Sequence, residues 1–159
     1  MYLTVAFSSD KRDMTAEHVE QTFQSDFCDV GASEPFSESL VATERASVDD
    51  CHGLTAWLSA NPGYYKATDF TGYTFNDLVT FGSCAFGFYR TDGGVGVFSL
   101  GNQDVLDLVG MAVRKYAVDG MVGAAGQVGC DGNTSISWSL YDVAKRDDGT
   151  MVHGDQAPA

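Results

Sequence analysis

The chain has 159 residues, 44% of them apolar and 19% charged, with 18 glycines and 3 prolines. That length fits one domain able to bury roughly two-thirds of its unfolded surface, and the balance argues against a disordered chain. Nine basic residues against 22 acidic ones give a net charge of −13. Such a chain is repelled by phosphates and anionic lipid headgroups, which argues against nucleic-acid binding and a polybasic membrane anchor. No apolar run approaches the ~20 residues needed to span a bilayer.

The chain opens Met1-Tyr2-Leu3-Thr4-Val5-Ala6-Phe7-Ser8-Ser9-Asp10, with a short apolar stretch. It is too short for a complete signal peptide and no basic residue precedes it. It reads as a signal remnant or a frayed end. Residues 1–46 show no sustained period and are expected to form an irregular N-terminal arm tied down at Cys28. Phe23, Phe27 and Phe36 are candidates for packing it on the core.

A helix is predicted from Ser47, a good N-cap, with Asp49 and Asp50 supplying first-turn negative charge. Val48, Cys51, Leu54, Thr55 and Leu58 fall on one face, and Asn61-Pro62-Gly63 stops the helix. Short strands are expected at Tyr64–Thr68, Leu78–Phe81 and Ser83–Arg90. In the last of these, Cys84, Phe86 and Phe88 alternate with Ala85, Gly87 and Tyr89. Thr91-Asp92-Gly93-Gly94 predicts a hairpin turn, with Val95–Leu100 as the returning strand.

A second helix is expected after Gly101, capped by Asn102 or Asp104, with Val105, Leu108, Val109, Ala112 and Tyr116 at helical spacing. Asp119-Gly120 turns the chain into a Gly-rich strand, Met121–Cys130. Ile136, Trp138 and Leu140 then alternate with Ser137, Ser139 and Tyr141 in a last strand. The sum is an α+β fold: an antiparallel sheet of five or six strands with two helices on one face. The expected organisation is an arm over 1–46, a folded domain over 47–143 and a disordered acidic tail over 144–159.

Four widely spaced cysteines, Cys28, Cys51, Cys84 and Cys130, contain no CxxC pair. In a small acidic chain this points to two disulfides and a secreted protein, against the alternative of four buried thiols in a cytosolic one. Spacing leaves three connectivities open. Packing the Cys51 face of the first helix on the sheet brings it near Cys84 or Cys130, leaving the other for Cys28. Two dibasic tripeptides, Lys11-Arg12-Asp13 and Lys145-Arg146-Asp147, bracket the domain and are candidate processing sites. Asn133-Thr134-Ser135 is a candidate glycosylation sequon.

Asp50-Cys51, Gly82-Ser83-Cys84-Ala85-Phe86-Gly87, Gly101-Asn102-Gln103-Asp104, Val122–Cys130 and Trp138-Ser139-Leu140-Tyr141 together resemble the fungal necrosis-inducing effector family, homologues of a Cladosporium extracellular effector protein. The resemblance covers about residues 47–143, with Ser83 where Thr is usual and Val128 where Met is usual. It implies a secreted, disulfide-bonded fungal protein with a killer-toxin-like α/β sandwich fold and no established active site.

Other chemistry is weakly signalled. Gly93-Gly94-Val95-Gly96 and Gly123-x-x-Gly126-x-x-Gly129 lack the strand-to-helix context of a phosphate loop. His18, His52 and His153 are scattered, and His52 is expected to face solvent. Asn102 and Asp104 form the best polar cluster, with capping as the simplest role. The expectation is a non-enzymatic, cofactor-free effector whose partner is a host or competitor protein, or a cell-wall glycan. A carbohydrate-associated accessory module and a small secreted hydrolase are the alternatives.

Overall fold

The computed structural model describes residues 15–30, 38–39, 44–68, 76–91, 97–131 and 134–145. The elements run β1 (Thr15–Glu20), β2 (Glu38–Ser39), β3 (Ala46–Ser47), α1 (Val48–Ala60), β4 (Gly63–Thr68), β5 (Asn76–Phe81) and β6 (Cys84–Arg90). They continue as β7 (Phe98–Gly101), α2 (Asn102–Tyr116), β8 (Met121–Val122), β9 (Ala124–Cys130) and β10 (Thr134–Asp142), with a short 3-10 turn at Val143–Lys145. Among the described residues no helix is long and apolar enough to cross a membrane.

The α+β class with antiparallel pairing is as the sequence pattern implied. The strands, however, divide among sheets. Five lie in the order β2-β9-β10-β6-β5, three in the order β1-β4-β7, and β3 pairs with β8. The predicted return strand after Arg90 does not pair with β6. Both edges of β6 are already taken, by β10 and β5. The chain therefore crosses to the smaller sheet, where β7 sets Phe98 opposite Ala67 and Gly101 opposite Tyr64 on β4. The turn residues 92–94 lie outside the described residues.

The segment expected to be irregular supplies three strands. β1 runs beside β4 from Thr15↔Thr68 to Glu20↔Gly63, so its backbone groups are satisfied by a distant partner and not by local propensity. The Phe23 side chain is 59% exposed, against the expectation that it would pack the arm down. Phe27 does pack, edge-on to Tyr64 at 5.7 Å.

The helices join the sheets. α1 buries Cys51, Leu54 and Leu58 and lies on β5 and β6, while α2 lies on β4 and β7 and against α1. So the helices do not share one face of one sheet. One apolar core takes in both helices and both larger sheets, and Phe88 of β6 meets Phe98 of β7 with ring centroids 5.7 Å apart. β6 is buried along its whole length. Cys84, Phe86 and Phe88 face this core, whereas Ala85 and Tyr89 join Tyr141 in a second, smaller cluster.

Two disulfides brace the fold, Cys51–Cys84 between α1 and β6, and Cys28–Cys130 between the arm and the end of β9. There are no free cysteines among the described residues.

Candidate functional site

The start of α1 shows why Asp50-Cys51 and Gly82-Ser83-Cys84 belong together. Ser47 caps the helix by accepting from the Asp50 backbone N–H at 3.3 Å. The Asp50 carboxylate leaves the helix and accepts from the Ser83 N–H and hydroxyl, both at 2.8 Å. The Ser83 hydroxyl in turn accepts from the Ser47 N–H at 3.1 Å. A Thr at 83 carries the same hydroxyl. Gly82 sits between these groups at φ +56°, and a Cβ there would lie 2.5 Å from the Asp50 carboxyl carbon. The network is a polar clasp next to the Cys51–Cys84 bridge.

The start of α2 is a second clasp. Gly101 is the N-cap, and a Cβ on it would fall 1.9 Å from the Ser25 carbonyl oxygen, so the arm passes here only over a glycine. The next residue, Asn102, is fully buried. Its amide donates to the carbonyls of Leu58 at 3.2 Å and Asn61 at 2.7 Å, closing the C-terminal end of α1. With both amide hydrogens spent, its Oδ1 accepts from His18 Nε2 at 3.2 Å.

Asp104 is also fully buried. Its carboxylate accepts from the N–H groups of Gly101 at 2.8 Å, Phe27 at 2.9 Å and Cys28 at 3.0 Å. It thus caps its own helix and grips the arm. Burial, and then the Asp26 carboxyl beside it, push its pKa up to about 7 against the pull of the three amides. Of the two residues offered as caps of α2, Asp104 bonds the Gly101 N–H, and Asn102 bonds α1 and β1 instead.

His18, set aside in the sequence as one of three scattered histidines, lies in β1 with no motif around it. Its ring packs edge-on between Trp57 at 5.2 Å and Tyr65 at 5.0 Å. Burial lowers its pKa below the usual histidine range, opposed first by the Asn102 hydrogen bond. Tyr65 is fully buried without a partner for its hydroxyl, and burial pushes that phenol upward. His52 is exposed, as expected. Among the described residues no group of three or more His, Cys, Asp or Glu side chains is placed to hold a metal.

A small cleft of about 140 Å³ opens where the arm meets β7 and the β9–β10 turn, lined by Phe27, Val97, Phe98, Cys130, Asp131 and Thr134. It combines aromatic walls with a carboxylate and a hydroxyl. Asn133, Lys11, Arg12 and Arg146 lie outside the described residues, and Lys145 ends the last described turn.

These features define a small, disulfide-braced α+β domain whose motif residues are joined by internal hydrogen bonds. Residues 27–130 match the Hce2 family, described as "Pathogen effector; putative necrosis-inducing factor". The chain belongs to that family. It is also similar to "Probable chitinase LysM18" of Penicillium expansum, at 30% identity over 112 residues, which cover 65% of this chain. The chain spans 7% of that relative's length.

Proposed function

We propose that this chain is a secreted fungal effector that acts without catalysis, by presenting a rigid folded surface to a target outside the producing cell. The target is a host or competitor protein, or a cell-wall glycan, and its engagement promotes necrosis. The family match over residues 27–130 carries this reading. Supporting it, the most prominent polar motif, Gly101 to Asp104, is engaged in holding the arm and both helices together. Two disulfides suit an oxidising extracellular setting. Infiltration of the purified, oxidised protein into host leaf tissue should produce dose-dependent cell death. A folded protein that gives no response over a wide dose range argues against the reading.

The second reading is a carbohydrate-associated accessory module. The chitinase name of the Penicillium relative favours it, as do the aromatic and polar walls of the cleft at Phe27, Asp131 and Thr134. Co-sedimentation with insoluble chitin, run beside the leaf infiltration, separates the two. Saturable retention that is lost in Phe27→Ala, with no cell death from the same folded protein, selects the module.

A further inference from the structure

We propose that the Cys28–Cys130 bridge is a thiol-exchange site at the rim of the cleft, open to small thiols and favouring those that carry a positive charge, while the Cys51–Cys84 bridge is closed to them. The two disulfides differ in their surroundings. Cys51 and Cys84 are both 0% exposed, sealed between α1 and β6 in the main core. A thiol reaches that bridge only if α1 lifts from β6. Cys130 is half-buried and lines the cleft beside Phe27, Asp131 and Thr134, and its partner Cys28 is 8% exposed. The cleft volume of about 140 Å³ is close to the ~150 Å³ that takes a benzene molecule, so a small thiol fits.

The exchange needs two thiols. A thiolate attacks the Cys130 Sγ, the S–S bond breaks, and its electron pair leaves on the Cys28 Sγ. A second thiolate attacks the added sulfur of the mixed disulfide and frees Cys130. Two small thiols are oxidised to one small disulfide, the bridge is reduced, and the thiol protons end on Cys28 and Cys130. The arm stays in place as the bridge opens. Asp104 still accepts from the Phe27 and Cys28 N–H groups. The Asp29 N–H still donates to the Gly129 carbonyl, and the Asp131 N–H to the Phe27 carbonyl, both at 2.9 Å.

Charge selects among thiols. Asp29 follows Cys28, Asp131 follows Cys130, and both are exposed. The chain as a whole carries −13. The attacking sulfur is an anion, so these carboxylates slow its approach. An ammonium group on the same small molecule offsets that repulsion, and a carboxylate adds to it.

The test is brief treatment of the oxidised protein with cysteamine or with 3-mercaptopropionate, quenched by alkylation and read by mass spectrometry of the labelled cysteines. Each rate is divided by the same thiol's rate on a small uncharged disulfide, which removes differences in thiol pKa and nucleophilicity. Cys28 and Cys130 should be labelled about tenfold or more faster than Cys51 and Cys84, whose exposure needs a local opening of the core. In ~10 mM salt, cysteamine should outrun mercaptopropionate at this bridge by about tenfold, and in ~1 M salt by no more than about twofold. Asp131→Asn should cut the low-salt ratio about threefold. Asp119→Asn removes an exposed carboxylate from the turn before β8, where φ is +53°, a conformation Asn accepts. It should leave the ratio unchanged, which separates the local carboxylates from net charge. Equal labelling of the two pairs, or earlier labelling of Cys51 and Cys84, overturns the proposal. So does equal reactivity of the two thiols in low salt, or a ratio that Asp119→Asn lowers as much as Asp131→Asn does.

Discussion

Replacing Asn102 by Ala removes the amide that joins α1, α2 and β1. Two donors are lost, to the Leu58 and Asn61 carbonyls, together with the acceptor for His18. The losses are unequal. The Leu58 carbonyl still receives the Gln24 side-chain N–H at 2.9 Å, so it is not orphaned. The Asn61 carbonyl, whose bond to Asn102 is the shortest at 2.7 Å, and the half-buried His18 ring carry most of the cost. A buried group left unpaired costs about 1–3 kcal/mol, so the variant should lose about 2–4 kcal/mol. In a domain of this size that lowers Tm by about 5–15 °C. Thermal unfolding followed by circular dichroism reads this directly, and necrosis per mole of folded protein should stay unchanged. A variant that keeps its Tm and loses all activity would refute the structural assignment and make Asn102 a binding or catalytic residue.

Three further outcomes follow from the same structure. Removing either disulfide as a Cys→Ala pair should destabilise strongly, since the bridges close sequence separations of 33 and 102 residues. Loop entropy gives about 4 kcal/mol for Cys51–Cys84 and about 5 kcal/mol for Cys28–Cys130, measurable by denaturant titration of each pair. The His18 ring should titrate below 6.5 by NMR. Its burial makes the neutral ring the stable form, so this contribution is present above the usual histidine range and falls away as pH drops through the lowered value. Mass spectrometry of protein secreted from a fungal host should show a chain beginning near Asp13 and ending near Arg146, with Asn133 glycosylated. Intact tails would count against the dibasic sites.

The parts of the fold that were legible in the sequence are those set by local signals. Ser47, the acidic first turn and the spacing of Cys51, Leu54 and Leu58 located α1 because capping and periodicity act within a few residues. The alternation of Phe86, Phe88, Trp138 and Leu140 likewise marked the two strands whose rings now stack in the core. What the sequence hid is pairing over distance. Nothing in Thr15–Glu20 announces a strand, because β4 makes it one. Asp92-Gly93-Gly94 argued for a hairpin, yet the neighbouring edges of β6 were already filled by β5 and β10.

The clasp at α2 was half legible. Asn102 and Asp104 stand out as a polar cluster at a helix start; Asp104 accepts from the Gly101 N–H there, whereas Asn102 bonds α1 and β1 instead. Their reach was not readable, because the Leu58 and Asn61 carbonyls and the Phe27 and Cys28 amides are unremarkable in sequence. His18 gave no sign at all, since only the fold sets it between Trp57 and Tyr65.

If the proposed effector acts through a folded, disulfide-braced surface, its action on host tissue depends on both bridges. Infiltration of matched doses of oxidised protein and of protein reduced and alkylated at Cys28, Cys51, Cys84 and Cys130 tests it most directly. Cell death is predicted with the oxidised form alone. Equal cell death from the alkylated chain, or none from an oxidised protein shown by circular dichroism to be folded, would rule out the folded surface as the cause.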